Sequence, residues 1–386
     1  MTGAVRESVA RLAPLILLVA LVILIAGAAS FAPIILQRRV TQALIMLVGV
    51  VGLYVFAGNS GVFSFGNVGF MAIAAYVSAL LTMAPGQKSV FLPDLPKALT
   101  DQHWPAPAGA LAGGAVAAVI GALVGFPLMR LSGISASIAT FSILVVIYVG
   151  LGNWTSVTGG QNSLMGLPNY VGLWTATIWA VAAIAIAFAY QESRGGLLLR
   201  ASREDEVAAR AAGVDIVRHR WIAFTLSAFL SGISGVLLAH FLGTVRVETY
   251  YLDLTFLVIA MLVIGGAGSL TGAVIGALAI SLLTEVLREA EAGFSIGGIR
   301  LAAPAGLGDS VLALLMLIII LYQPKGIAGG LEIGFPWLSV SGRNDVPPPN
   351  PSSNPELESA QGRDPSAPER RSKRAERDRQ RRLCYR

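Results

Sequence analysis

The stretch LAPLILLVALVILIAGAASFAPIIL, residues 12–36, carries no charged side chain along its whole length. Apolar runs of about 18 residues or more are long enough to cross the ~30 Å hydrocarbon core of a bilayer as a helix. Lipid offers the backbone no hydrogen-bond partner, so a spanning segment must be a helix or part of a closed barrel. The alternating pattern of a barrel strand is absent here, which leaves helix. Arg6 and Arg11 precede the run, the charge order of a signal peptide, and residues 26–30 could offer a cleavage site. The run exceeds the 7–15 apolar residues of a typical signal core, so an uncleaved first span is expected.

Working outward, similar runs recur along the chain. Candidate spans fall at 12–36, 40–57, 64–84, 107–129, 134–152 and 171–190, then at 221–243, 250–267, 269–287 and 306–322. These make about ten, although 250–287 could instead be two half-penetrating helices around Gly265, Gly266 and Gly268, so the expected range is eight to ten. Composition agrees: 55% of the 386 residues are hydrophobic and 13% charged, about half the roughly 25% charge of a soluble domain. The fold class is therefore all-α, a polytopic transmembrane helix bundle. The lone cysteine, Cys384, cannot form an intrachain disulfide. The net charge of +6 reports orientation rather than nucleic-acid binding, because the basic excess lies in loops and in the C-terminal tail.

Lys and Arg concentrate on the cytoplasmic side of membrane proteins. With the N-terminus inside, the inner segments hold ten before the tail: Arg6, Arg11, Arg130, Arg194, Arg200, Arg203, Arg210, Arg218, Arg220 and Lys325. The outer loops hold seven: Arg38, Arg39, Lys88, Lys97, Arg246, Arg288 and Arg300. The loop 191–220 alone carries six of the inner ten, and an even number of spans puts both termini in the cytoplasm. Residues 1–340 form the expected membrane domain. The remainder, 341–386, opens on Pro, Asn and Ser and ends in a basic run, a composition expected to be disordered. A basic tail can lie on anionic lipid, though a merely solvated tail is the simpler expectation.

Small residues recur at helix-packing spacing: Gly268, Gly272 and Gly276; Ser227, Ser231, Gly235 and Ala239; Gly121 and Gly125. They permit close helix approach in lipid, within the bundle or at a dimer interface. In the polar loop, Ser202 followed by Asp205 has capping-box form. Glu204, Asp205 and Glu206 put negative charge in a helical first turn, and Gly213 stands where a left-handed C-cap is expected. Val207, Ala208, Ala211 and Val214 then share one small apolar face, with Arg203, Glu206 and Arg210 towards the polar side. Two uses of that helix stay open: insertion into a partner's groove and an ordinary juxtamembrane helix.

The loop SRGGLLLRASREDEVAARAAG at residues 193–213 resembles the cytoplasmic coupling loop of permease subunits of ABC importers for branched-chain amino acids, of the longer, LivM type. Four further stretches are similar to that family in the same order: SFGNVGFMAIAAY (64–76), TGGQNSLMGLP (158–168), VIGGAGSLTGAVIGA (263–277) and YQPKGI (322–327). Together they cover roughly residues 43–329. The general coupling pattern is Glu-Ala-Ala-x-x-x-Gly. Ala208, Ala209 and Gly213 fit it, but Val207 holds the glutamate position and Glu206 stands one residue early. Asn67 replaces a frequent histidine, and Ser163 a common glycine.

The resemblance implies a translocation subunit in a bacterial-type inner membrane. It would pair with a second permease, two cytoplasmic ATPases and an extracytoplasmic binding protein for a small amino acid. Arg203, Glu204, Asp205, Glu206, Ala208, Ala209 and Gly213 would couple it to the ATPases. Asn67, Thr158, Gly160, Gln161 and Asn162 are candidates for the substrate pathway, the last group offering hydrogen bonds to a zwitterion unless it is a plain external turn. The chain has no phosphate-binding G-x-x-x-x-G-K-[ST] loop, no HExxH and no nucleophile elbow. No catalytic residue, metal site or cofactor is expected. A urea or short-chain amide importer is the nearest alternative. An ion-coupled secondary transporter would want ionisable residues at midplane, and a membrane enzyme a His, Asp or Glu cluster. His240 and Glu285 lie near span ends, where interfacial solvation is expected to account for both.

Overall fold

The structure, a computed structural model, describes residues 2–292, 294–296, 299–301, 306–323, 326–329 and 332. The segment 341–386 lies outside the described residues. Helices α1 (Thr2–Ser30), α2 (Ile34–Ser60) and α3 (Asn67–Thr82) come first, then the short α4 (Pro85–Phe91) and α5 (Lys97–Thr100), and α6 (Ala106–Leu128). Next are α7 (Gly133–Asn153), the one-turn α8 (Thr155–Thr158), strand β1 (Leu164–Met165) and α9 (Leu173–Glu192). The polar loop forms α10 (Arg194–Glu204) and α11 (Glu206–Ala211), followed by α12 (Ile216–Leu242) and β2 (Thr244–Val245). A 3-10 turn at Val247–Tyr250 leads into α13 (Leu252–Gly265) and α14 (Leu270–Ala292). The hairpin β3 (Phe294–Ile296) and β4 (Ile299–Leu301) and helix α15 (Leu307–Tyr322) complete the described chain.

Each of the ten expected spans corresponds to a helix. Eight, among the described residues, are long and apolar enough to cross a membrane. The other two, α3 and α15, have 16 residues each, about 24 Å of helix. The first run divides earlier than its hydropathy indicates. Pro33 stands at the N-cap of α2, so that helix starts at Ile34 rather than near residue 40; proline lacks an N–H and suits a helix start. The Gln37 amide donates to the carbonyls of Ser30 and Ala32 at 3.2 and 3.0 Å and bridges the break. Both halves of the 250–287 region are long and apolar enough to cross a membrane. With its leading 3-10 turn α13 makes a 19-residue span, and α14 supplies one of 22.

Helices α2 and α12 form the centre, with 83% and 78% of their apolar windows buried, whereas α7 is 17% buried and α1 and α6 28% each. Close approach explains that centre. Gly235 of α12 lies so near α3 that an added Cβ would land on the backbone of Met71. Gly52 of α2 meets Ser231 in the same way, and Gly121 of α6 meets Ala228. Gly265 of α13 packs backbone to backbone on Gly272 and Gly276 of α14, which makes these two helices an antiparallel hairpin. Gly268 is part of the turn between them rather than of the packing face. The glycine stripe thus packs within the chain.

Gly235→Ala should cost roughly 1–3 kcal/mol, the penalty of overpacking against backbone that cannot move aside. Gly150→Ala, where a Cβ meets nothing within 4 Å, should leave stability unchanged or slightly raised. Thermal unfolding of the two detergent-purified variants checks the contrast; equal melting temperatures would contradict the packing described.

Candidate functional site

The polar loop folds as two helices rather than one. Ser193 caps α10 by accepting from the Gly196 N–H at 3.2 Å. Gly195 and Gly196 disguise this helix in the sequence, since paired glycines read as a loop. Asp205 caps α11 through its own carboxylate, which accepts the N–H groups of Val207 and Ala208, both at 2.9 Å. The expected capping box does not form: Ser202 belongs to α10 and donates back to the Leu199 carbonyl. Gly213 is left-handed at φ +81°. Its N–H bonds the Arg210 carbonyl and that of Val214 the Ala209 carbonyl, the paired bonds of a Schellman stop.

Glu206 fastens α11 to the bundle. Its carboxylate accepts from Arg210 at 2.5 Å and from the buried Arg220 of α12 at 3.3 Å. Burial pushes the Glu206 carboxyl up, but Arg220 and Arg210 outweigh it and hold the pKa below the ordinary 4.5. Arg203 reaches the end of α2, donating to the Gly58 carbonyl at 2.7 Å, while Glu204 is exposed. With Ala209 turned inward, Val207, Ala208 and Ala211 face outward, Val207 being 79% exposed. Val214, the fourth member of the expected face, is half-buried. The result is a short helix, capped and anchored, with an exposed apolar side.

Beneath these helices lies a buried polar chain that sequence reasoning missed. Arg200 of α10 donates to the backbone carbonyl of Gln191 at 2.7 Å. The Gln191 side chain accepts from Tyr54 of α2 at 2.7 Å and donates to Glu332 at 3.1 Å. The Glu332 carboxylate also accepts the N–H of Leu270 at 2.9 Å, the N–H of Thr271 at 3.2 Å and the Thr271 hydroxyl at 2.7 Å, at the start of α14. Two quoted motifs meet here. Gly326 packs on Gly266, and Ile327 and Ala328 donate to the carbonyls of Ile264 and Gly265 at 2.9 and 3.1 Å. The glycine-rich turn and the Pro-x-Gly segment are two sides of one contact.

The proposed pathway residues are not brought together. Asn67 opens α3 and is buried, donating to Ser227 and Ser231 of α12 at 2.7 and 3.1 Å. Thr158, Gly160, Gln161 and Asn162 lie beyond α7, at the end of the bundle that α3 reaches at Thr82, about 24 Å away along the helix. The Thr158 hydroxyl bonds the Leu151 and Trp154 carbonyls and so is occupied by its own turn. Gly160 is left-handed in that turn, and Gln161 and Asn162 are exposed. Strand β1 pairs with β2, Leu164 opposite Val245, and binds this segment to the end of α12. An apolar groove of about 650 Å³ runs between α3, α6 and α7, with Tyr76, Ile147, Trp154 and Thr158 among its lining.

Of the two span-end ionisable groups, His240 departs from the expected interfacial solvation, whereas Glu285 stays partly exposed in an ion pair. His240 is fully buried, with Nε2 2.9 Å from the Ser78 hydroxyl and Nδ1 3.0 Å from the Pro168 carbonyl. A carbonyl only accepts, so Nδ1 carries the proton. Glu285 pairs with Arg39 of α2 at 2.9 Å, and Glu289 with the same guanidinium at 2.6 Å. Among the described residues no group of three or more His, Cys, Asp or Glu side chains could hold a metal.

A bundle of long apolar helices with a capped polar loop at its end is the architecture of a multi-pass membrane protein. The family described as the branched-chain amino acid transport system permease component matches residues 35–321, and the chain belongs to that family. The chain is 28% identical over 283 residues to the high-affinity branched-chain amino acid transport system permease protein LivM of Salmonella typhimurium, covering 64% of this chain and 63% of that protein. For LivM of Escherichia coli the identity is 29% over the same coverage, 64% and 63%. It is also 29% identical over 187 residues to the autoinducer 2 import system permease protein LsrC of Klebsiella pneumoniae, 45% of this chain and 53% of that protein. The match thus spans just under two thirds of the length of the LivM proteins. No solved structure matches.

Asp205→Ala should weaken α11 by about 1 kcal/mol, the usual worth of an N-cap, and raise amide exchange at Val207 and Ala208 about fivefold. The Glu206 clasp has a lowered folded pKa, so its stabilisation is complete above the unfolded value and lost as pH falls through the folded one. The extra protection of α11 amides over a Glu206→Gln variant should therefore be present at neutral pH and vanish below 4.5.

Proposed function

We propose that this chain is the translocation subunit of an ATP-driven importer of branched-chain amino acids, driven through α11 by separate ATPase subunits. One observation carries the reading: α11 is capped at both ends, anchored by Glu206 and Arg203, and presents Val207, Ala208 and Ala211 uncovered. An anchored helix with an apolar face suits a groove on a partner. Arg203, Glu204, Asp205, Glu206, Ala208, Ala209 and Gly213 divide between the two tasks, anchoring the helix and facing the partner. The loop end is assigned to the cytoplasm because Lys and Arg concentrate there, and both termini follow with ten spans. The remaining partners are a second permease and an extracytoplasmic binding protein. The substrate reading is supported by family membership and by the names of the LivM relatives. Substrate passes between the bundle ends, with Asn67 and the 158–162 turn as separate stations rather than one site.

Val207→Asp tests the reading. A side chain 79% exposed tolerates replacement within about 0.5 kcal/mol, so the variant should fold and insert normally. In proteoliposomes holding the full complex, leucine uptake driven by ATP should fall at least tenfold, while the chain alone should move no leucine. Unchanged uptake by Val207→Asp would remove α11 from coupling, and gradient-driven uptake by the lone chain would replace the importer reading altogether.

A further inference from the structure

We propose that Glu332 is a positioning residue for transport, linking the ATPase-facing helices to the α13–α14 hairpin so that displacement of the first is delivered to the second. The inference rests on the importer reading above and adds the route by which the loop acts on the bundle.

The carboxylate is placed for such a role. Among the described residues its four hydrogen-bonding partners are donors: the Leu270 and Thr271 N–H groups, the Thr271 hydroxyl and the Gln191 amide. An ionised carboxylate only accepts and offers about four lone-pair sites, so the set fits that species. The position is also electrostatically favoured, because the N-terminal N–H groups of α14 point positive charge at it. Such charge-assisted bonds are stronger than neutral ones.

Each side of the link is stiff. On the hairpin side, α13 and α14 touch through backbone at Gly265, Gly272 and Gly276, leaving no space for independent sliding. The chain carrying Glu332 is bonded to that hairpin through Ile327 and Ala328. On the loop side, Gln191 ends α9, and its carbonyl is held by Arg200 of α10 at 2.7 Å. Its side chain is held by Tyr54 of α2. Gln191 is only 3% exposed, so water does not readily replace these partners. A pull on α10 thus passes through Arg200 and Gln191 to Glu332 and into the first turn of α14.

The 23 residues of α14 carry the displacement about 35 Å to the opposite end of the bundle. There Glu285 and Glu289 hold Arg39, beside a small cavity of about 50 Å³ that Gln42, Ser281 and Thr284 help to line. Among the described residues the buried Ser281 hydroxyl has no hydrogen-bond partner, so it forfeits none of these bonds when α14 shifts. The device joins the α10 loop to the Arg39 ion pair at the far end of α14.

The test uses the full complex in proteoliposomes, with leucine uptake and ATP hydrolysis measured on the same preparation. Glu332→Gln and Gln191→Leu should each lower leucine transported per ATP at least tenfold, with hydrolysis within twofold of the unmodified complex. Glu332→Asp, which keeps the charge one methylene short, should recover part of that ratio. Arg200→Ala cuts the route on the loop side without touching the hairpin and should uncouple in the same way, which guards against a folding defect in the Glu332 variants. An unchanged ratio in these variants would overturn the proposal. So would a parallel loss of uptake, hydrolysis and thermal stability, because that marks a purely structural residue. Absence of ATP-driven uptake in the unmodified complex would overturn the importer reading itself, before any variant is compared.

Discussion

Gly235 and the serines beside it hold α12 against α2 and α3, and the remainder of the bundle is arranged around that contact. In lipid the hydrophobic effect does not draw helices together, so close packing and interhelical hydrogen bonds must do so. Side chains of one or two heavy atoms let the backbones meet, and the same small residues supply hydroxyls. Ser227 and Ser231 accept from Asn67, and Ser234 donates to the Ile45 carbonyl at 2.8 Å. One helix face thus provides both the shape and the polar partners. The peripheral helices α1, α6 and α7 keep wide apolar faces outward, available to lipid or to a second subunit.

Polar groups within the bundle follow the same economy. His240, Asn67 and Gln191 are each buried and each bonded to another element, as burial away from water requires. His240 illustrates the principle well. Its two ring nitrogens connect α3 to the segment after β1, so the residue fastens the far-end loops to the core. Among the described residues the Tyr76 hydroxyl and the Asn67 side-chain oxygen are two of several buried atoms without a hydrogen-bond partner. Tyr76 faces the groove between α3, α6 and α7.

The loop works by an opposite logic. There Glu206 and Arg203 reach inward to anchor it, and Val207, Ala208 and Ala211 face outward. Glu206 binds Arg220, Arg203 reaches α2, and Val207 is left uncovered. This inversion also accounts for the displaced glutamate of the coupling pattern. At position 206 the carboxylate falls on the anchoring side of α11, where Arg220 waits, while position 207 falls on the outer side.

The sequence by itself determined the solvent, the class and nearly every span, because hydrocarbon thickness and backbone satisfaction leave long apolar runs a single choice. It also determined the stop at Gly213, since a left-handed residue at that place is a local matter, but not the division of the polar loop into two helices. Local signals misled where two elements compete for one residue. Ser202 had the spacing of a cap but already belonged to α10, and Pro33 cut an apolar run that hydropathy alone could not divide. What only the tertiary structure decided was which distant residues meet. Glu332 lies 141 residues from Gln191 along the chain, and no periodicity connects them. The same holds for Gly326 on Gly266, for Arg39 between two glutamates of α14, and for the separation of Asn67 from the 158–162 turn. Local pattern reports the environment of each helix, whereas contact between helices depends on how their surfaces fit, and that is settled only when all of them pack at once.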